Sequence, residues 1–149
     1  MTIRDSVDIN APVDVVWQWV QNPENMALWN PKVQKVTAMS PPYKLGYKYG
    51  IMYAMNNKVT EYSAEFVEFD PPFRLGIRLS TTLMDQSFFV EEKYLLESRN
   101  NVTHLSQEVV VHDSTVSSFW NILIWFITRF GKPVGERYLE KLKSLVEHG

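Results

Sequence analysis

Apolar positions along the chain change spacing twice between its ends, and each change marks a different kind of element. In residues 3–9 the apolar side chains Ile3, Val7 and Ile9 fall on alternate positions, which predicts a first strand. Val13, Val16, Trp17 and Val20 then recur at helical spacing and predict a helix ending near Asn22. Asn10-Ala11-Pro12 precedes it. Asn10 has capping chemistry, and Pro12 sits early in the helix, where its missing N–H costs nothing. Pro23 is expected to open a second short helix through Trp29, with Pro31 closing it.

From about Val33 to His112 the pattern is one of strands and turns. Asn56-Asn57 suits a two-residue hairpin turn, because asparagine tolerates positive φ. Counting from it pairs Met55 with Lys58, Tyr53 with Thr60, Ile51 with Tyr62, Tyr49 with Ala64 and Tyr47 with Phe66. A tight loop at Asp70-Pro71-Pro72-Phe73 sets Phe66 opposite Ile77 and Glu68 opposite Leu75. A four-residue loop at Ser98-Arg99-Asn100-Asn101 sets Tyr94 opposite Leu105, Glu92 opposite Gln107, Val90 opposite Val109 and Phe88 opposite Val111. The three turns agree on one aromatic and aliphatic face and one mostly polar or small face, as expected of a sheet solvated on one side.

After Asp113 the period becomes helical again. Ser114 or Thr115 can cap a helix running from about Val116 nearly to the end, with a kink or break at Gly131-Lys132-Pro133. Phe119, Leu123, Phe126 and Phe130 form one stripe, continued by Val134, Tyr138 and Leu142. A helix covering a sheet needs only one apolar stripe. The surplus residues Trp120, Ile124 and Ile127 therefore need a cover of their own: a loop of the same domain, a dimer partner, or a transient membrane contact.

Composition narrows the function classes. The 149 residues suit one domain, residues 1–149, with no linker or repeat dividing it. A formal net charge of −2 and no basic cluster argue against nucleic acid as a partner. The absence of cysteine excludes disulfides, thiol catalysis and Cys-ligated metals, and fits a reducing compartment. With no secretory leader pattern at the N-terminus and no apolar run near 20 residues, the expectation is a soluble cytoplasmic protein. Five Trp, seven Tyr and eight Phe call for a thick core or a lined cavity. No spacing of histidines and carboxylates suggests a metal site, and no phosphate-binding glycine loop is present, so neither metal nor cofactor is expected.

Several short segments carry a resemblance. They are Ile9-Asn10-Ala11-Pro12 followed by Val15-Val16-Trp17, then Trp29-Asn30-Pro31-Lys32-Val33, then Val67-Glu68-Phe69-Asp70-Pro71-Pro72, and finally Leu139 with Leu142-Lys143 and Glu147. In this order the chain resembles the START-like (SRPBCC) superfamily, the polyketide cyclase/dehydrase and lipid-transport family. The resemblance implies an α+β helix-grip fold: a seven-stranded curved antiparallel sheet wrapped around a long C-terminal helix, with two short helices after the first strand and a cavity between sheet and helix. It does not select a function, since the family includes lipid and sterol carriers, hormone receptors, ring cyclases and oxygenase subunits. The metal-centre motifs of the oxygenase members are missing here.

Glu92 is the most informative residue, because its parity places a carboxylate inward between Val90 and Tyr94. A buried carboxylate needs a partner, a water or a function. It can anchor a ligand, serve as a general acid/base, or simply form a structural hydrogen bond. Tyr47, Tyr49, Tyr53, Tyr62 and Tyr94 share that face, and buried hydroxyls favour a cavity over plain packing. Trp29 fits a lid over the pocket mouth as well as it fits a packing anchor. The candidate lining is Trp29, Tyr49, Ile51, Tyr53, Tyr62, Phe66, Ile77, Phe88, Val90, Glu92, Tyr94, Gln107 and Val109, with Phe119, Leu123 and Phe126 from the last helix. The favoured function is binding of an apolar or amphipathic small molecule of lipid, isoprenoid or polyketide type. A cyclase or dehydrase using Glu92 and a tyrosine for proton transfer is the second reading. A non-catalytic interaction domain with a self-filled core is the third.

Overall fold

The alternating segments form one seven-stranded antiparallel sheet in the computed structural model, which describes residues 2–30, 33–38, 40–55, 58–80, 89–112 and 138–149. The strands are β1 (Thr2–Ile9), β2 (Val33–Ala38), β3 (Lys48–Met55), β4 (Lys58–Asp70), β5 (Arg74–Ser80), β6 (Phe89–Arg99) and β7 (Val102–His112). Their order is β1-β7-β6-β5-β4-β3-β2, a meander from β2 to β7 that β1 extends beside β7. The sheet curls into a half-barrel. Together with α1 (Val13–Gln21), α2 (Pro23–Trp29) and α3 (Tyr138–His148) it makes a helix-grip α+β fold. The expected helix start at Val116, the break at Gly131-Lys132-Pro133 and the Asn56-Asn57 turn lie outside the described residues.

The two short helices follow their local chemistry, with one change at the first. Helix α1 starts at Val13, so Pro12 takes the capping position and Asn10 makes no cap. Pro12 is extended at φ −60° and ψ 151°, and its carbonyl accepts from the N–H groups of Val15 and Val16 at 3.0 and 3.2 Å. Val16, Trp17 and Val20 are buried, as their spacing requires. Asn22 then caps α2, its side chain accepting from the N–H of Glu24 at 3.0 Å, with Pro23 at the first helical position. Helix α3 buries Leu139 and Leu142, and its Lys143 ammonium donates to the carbonyl of Asp8 at the end of β1. Among the described residues no helix is long and apolar enough to cross a membrane.

The registers agree with counting in β3–β4 and depart from it at two places. Met55–Lys58, Tyr53–Thr60, Ile51–Tyr62, Tyr49–Ala64 and Phe66–Ile77 pair as expected. Glu68 does not face Leu75. A bulge after Phe66 sets Glu68 opposite Gly76 and Phe69 opposite Leu75. The extra residue turns Glu68 outward and brings Phe69 against the core, where its ring lies 5.6 Å from that of Trp17. Gly76 makes room for the bulge, since a Cβ there would stand 2.9 Å from the Cβ of Glu68.

The second departure is at β6–β7. Asn100 and Asn101 form a two-residue turn at φ 51° and 65°, and Arg99 pairs with Val102. Tyr94 therefore faces Gln107, not Leu105. Glu92 faces Val109, not Gln107, and Val90 faces Val111, not Val109. The shift is two residues, so every side chain keeps its face.

Candidate functional site

The registers stack the concave face into rows running across the strands. One row reads Asp5, Gln107, Tyr94, Leu75 and Phe69 across β1, β7, β6, β5 and β4. The next reads Ile3, Val109, Glu92, Ile77 and Phe66. Beyond it stand Val90, Leu79, Ala64 and Tyr49, and further along β3 and β4 come Ile51, Tyr62 and Tyr53. All the side chains described among these are buried except Asp5 and Phe69, which are half-buried.

Three polar groups join within this apolar field. Tyr94 Oη donates to Glu92 Oε2 at 3.1 Å, and Gln107 Nε2 donates to Tyr94 Oη at 3.0 Å. Glu92 is 1% exposed, and Tyr94 and Gln107 are each 2% exposed. A carboxylate this far from water is tolerated because charged hydrogen bonds replace part of its hydration. Alternation places Glu92 and Tyr94 on one face two residues apart, and the hairpin sets Gln107 beside the tyrosine. The chain of bonds thus runs diagonally across two strands.

Aromatic rings pack on the same buried face, one of them against the trio. Trp29, at the end of α2 and 1% exposed, stands edge-on to Tyr94 with ring centroids 6.4 Å apart. Tyr53 and Tyr62 meet at 5.5 Å, and Phe66 lies 5.2 Å from Tyr47 and 5.9 Å from Tyr49. Tyr43 joins them 5.2 Å from Tyr47. Burial, with the Glu24 carboxylate adding to it, pushes the Tyr43 hydroxyl above its ordinary 10.0, so it stays protonated at neutral pH.

The structure thus gathers Trp29, Tyr49, Ile51, Tyr53, Tyr62, Phe66, Ile77, Val90, Glu92, Tyr94, Gln107 and Val109 on or against one buried face. Phe88, Phe119, Leu123 and Phe126 lie outside the described residues, as do Trp120, Ile124 and Ile127. Sequence reasoning missed Asp5, Asn30 and Phe69. Asp5 shares the parity of Ile3, Val7 and Ile9, a signal that was there to be used, and its Oδ1 accepts from the N–H of Ser6 at 2.9 Å. Asn30 is buried beyond the last turn of α2, where its N–H donates to the carbonyl of Met26 at 2.8 Å. Thr103, another buried polar side chain, is structural: its hydroxyl donates to the carbonyl of Ala11 at 2.8 Å.

A cleft of about 670 Å³ is lined largely by outward residues of β1, β4, β5, β6 and β7 and also touches Asp5, Leu75, Tyr94 and Gln107 of the inward row. Its lining mixes Arg4, Arg74 and Lys93 with Asp5, Glu68 and Glu108, and Arg4 is paired with Glu108 at 3.1 Å. Cations and anions are balanced there, so the lining singles out no charged ligand.

The model of the family described as polyketide cyclase / dehydrase and lipid transport matches residues 1–147. The chain belongs to that family. Solved structures carry the same fold at low identity. Protein TTHA0849 from Thermus thermophilus matches with a TM-score of 0.73 and 13% identity, over 98% of this chain and 97% of that one. Ara h 8.0201 gives 0.70 and 11%, over 100% and 99%. DynU16, a protein in the dynemicin biosynthetic locus, gives 0.62 and 18%, over 98% of this chain and 47% of its own. No curated protein matches the sequence. Family and fold together indicate a hydrophobic-ligand-binding or polyketide cyclase/dehydrase-type protein.

Proposed function

We propose that this family member binds an apolar or amphipathic small molecule, of lipid, isoprenoid or polyketide type, against the concave face of its sheet. The observation that carries the reading is the buried Gln107–Tyr94–Glu92 chain inside an otherwise apolar and aromatic face. A self-filled core would be expected to use apolar side chains there, because each polar group must recover its lost hydration. A binding site, by contrast, is mostly apolar with a few placed polar groups. Removing apolar ligand surface from water supplies affinity at roughly 25 cal/mol per Å², and the polar trio fixes orientation. Native mass spectrometry of the protein as purified tests this. Extra mass that disappears on denaturation supports an occupied site. A bare mass, together with no heat in titrations of alcohols, phenols and acids on apolar skeletons, overturns it.

A second reading has one observation behind it. The Tyr94 hydroxyl and the Glu92 carboxylate are hydrogen-bonded at 3.1 Å, and in a cyclase or dehydrase this pair would transfer protons to and from a folded polyketide. Turnover that Glu92→Gln abolishes while binding persists would establish this enzyme reading over simple carriage.

A further inference from the structure

We infer that the free edge of β1 is a pairing surface for a second copy of this chain, held closed by two side-chain caps from Asp5 and Lys143. The inference is independent of what the concave face binds and starts from where the backbone groups of β1 point. β1 ends the strand order, so among the described residues it has β7 on one side and no strand on the other. The two-residue turn at Asn100-Asn101 makes Arg99 and Val102 a hydrogen-bonded pair, and such pairs recur at every second residue. Val102, His104, Ser106 and Glu108 therefore spend their backbone groups on β6. Thr103, Leu105, Gln107 and Val109 spend theirs on Ile9, Val7, Asp5 and Ile3. The N–H and C=O groups of Thr2, Arg4, Ser6 and Asp8 are left pointing off the edge of the sheet, and all four residues are exposed.

Two of these groups are taken, both by side chains. The Ser6 N–H donates to Asp5 Oδ1 at 2.9 Å. The Asp8 carbonyl accepts from the Lys143 ammonium, carried across by α3. An open edge is a template for another strand, and caps of this kind withhold it. The exposed side chains indicate which strand fits. A twofold pairing of β1 with itself, Ser6 on the axis, sets Arg4 opposite Asp8 of the second copy. Moving the axis to Arg4 brings two arginines together, and moving it to Asp5 sets Arg4 opposite Ser6. Arg4 already pairs with Glu108, and Asp8 with His104. With Ser6 on the axis these two pairs join into one row of alternating charge across both copies, the arrangement that favours cross-strand neighbours. That register needs the Ser6 N–H for the Ser6 carbonyl of the second copy, and the Asp8 carbonyl for its Arg4 N–H. Those are the two groups the caps occupy.

Sedimentation equilibrium tests this at about 100 µM chain, where weak pairing registers. The wild type should be monomeric. Asp5→Ala with Lys143→Met removes both caps and should strengthen self-association by about 100-fold, on the order of tenfold for each charge-assisted bond, so that the variant sediments as a dimer. Adding Ser6→Pro takes the proton off the axis without touching a bond to β7, and should restore the monomer. A folded double variant that stays monomeric overturns the inference. So does a dimer that survives Ser6→Pro, because its contact lies elsewhere, and so does a wild-type dimer that Ser6→Pro abolishes, because the caps then hold nothing closed. Amide exchange of the wild-type protein decides the capping even where the variants fail to fold. Corrected for intrinsic rates, the Ser6 N–H should exchange about tenfold more slowly than those of Arg4 and Asp8 on the same edge. Equal rates remove the Asp5 cap, and the inference with it.

Discussion

Replacing Tyr94 by phenylalanine deletes one oxygen and tests the trio most directly. The ring remains, and with it the edge-on contact to Trp29 at 6.4 Å, so no cavity opens. Two hydrogen bonds are lost. The bond to Glu92 Oε2 ends on a carboxylate and is worth about 1.5–3 kcal/mol, and the bond from Gln107 Nε2 is neutral and worth about 0.5–1.5 kcal/mol. Both partners are buried and have little water to turn to, so Tyr94→Phe should destabilise by about 2–4 kcal/mol. With urea m-values of about 1–3 kcal/mol per molar, the unfolding midpoint should fall by roughly 1–2 M with unchanged slope.

A second variant separates the bond from the ring. Glu92→Leu removes the charge that needed the hydroxyl, and losing a buried carboxylate outright is often milder than stranding one. In that background Tyr94→Phe should cost less, giving a coupling of about 1–3 kcal/mol in the double-mutant cycle. A single-mutant cost under about 0.5 kcal/mol, or a cycle additive within that margin, would refute the claim that the hydroxyl holds the carboxylate.

Two further expectations concern the frame around the site. Gly76→Ala should destabilise by about 1–3 kcal/mol, because the new Cβ meets the Cβ of Glu68 at 2.9 Å and neither is the loose end of a side chain; a thermal melt unchanged from wild type would contradict it. At the β1–α3 junction, the hydrogen bond from His104 holds the Asp8 carboxyl below its ordinary 3.8, and the hydrogen bond from Lys143 holds Glu147 below its ordinary 4.5. Depressed carboxyls contribute stability that is present above their ordinary values and lost as pH falls through the lower folded ones. Asp8→Asn should therefore melt below wild type near pH 6, with the gap narrowing as pH falls below 3.8; a gap that stays constant into that acid range would count against the His104 bond.

Which face each residue takes was more legible than which residue it meets, and the geometry of strands explains the difference. Side chains alternate with period two, so the misplaced Asn100-Asn101 turn moved every β6–β7 pairing by two residues yet left Glu92, Tyr94 and Gln107 facing inward. The missed signal was a repeat of the one from which the Met55–Lys58 register was counted: two adjacent asparagines, a residue type that tolerates positive φ. The bulge near Glu68 is the opposite case. A one-residue slip exchanges faces, so Glu68 went outward and Phe69 joined the core against expectation. Its only mark in the sequence is a glycine inside a strand, at Gly76, where a neighbouring backbone comes close.

The correction changes the chemistry of the site as well as its pairings. A Glu92–Gln107 pair facing each other would have been a closed amide–carboxylate contact that satisfied itself and presented an amide donor to any ligand. In the actual register Glu92 lies between Ile77 and Val109, and the hydroxyl of Tyr94 links it to Gln107. Diagonal neighbours of this kind depend on register and rotamer together, neither of which is written in the alternation of apolar and polar residues. The intervening tyrosine turns a pair into a directed chain.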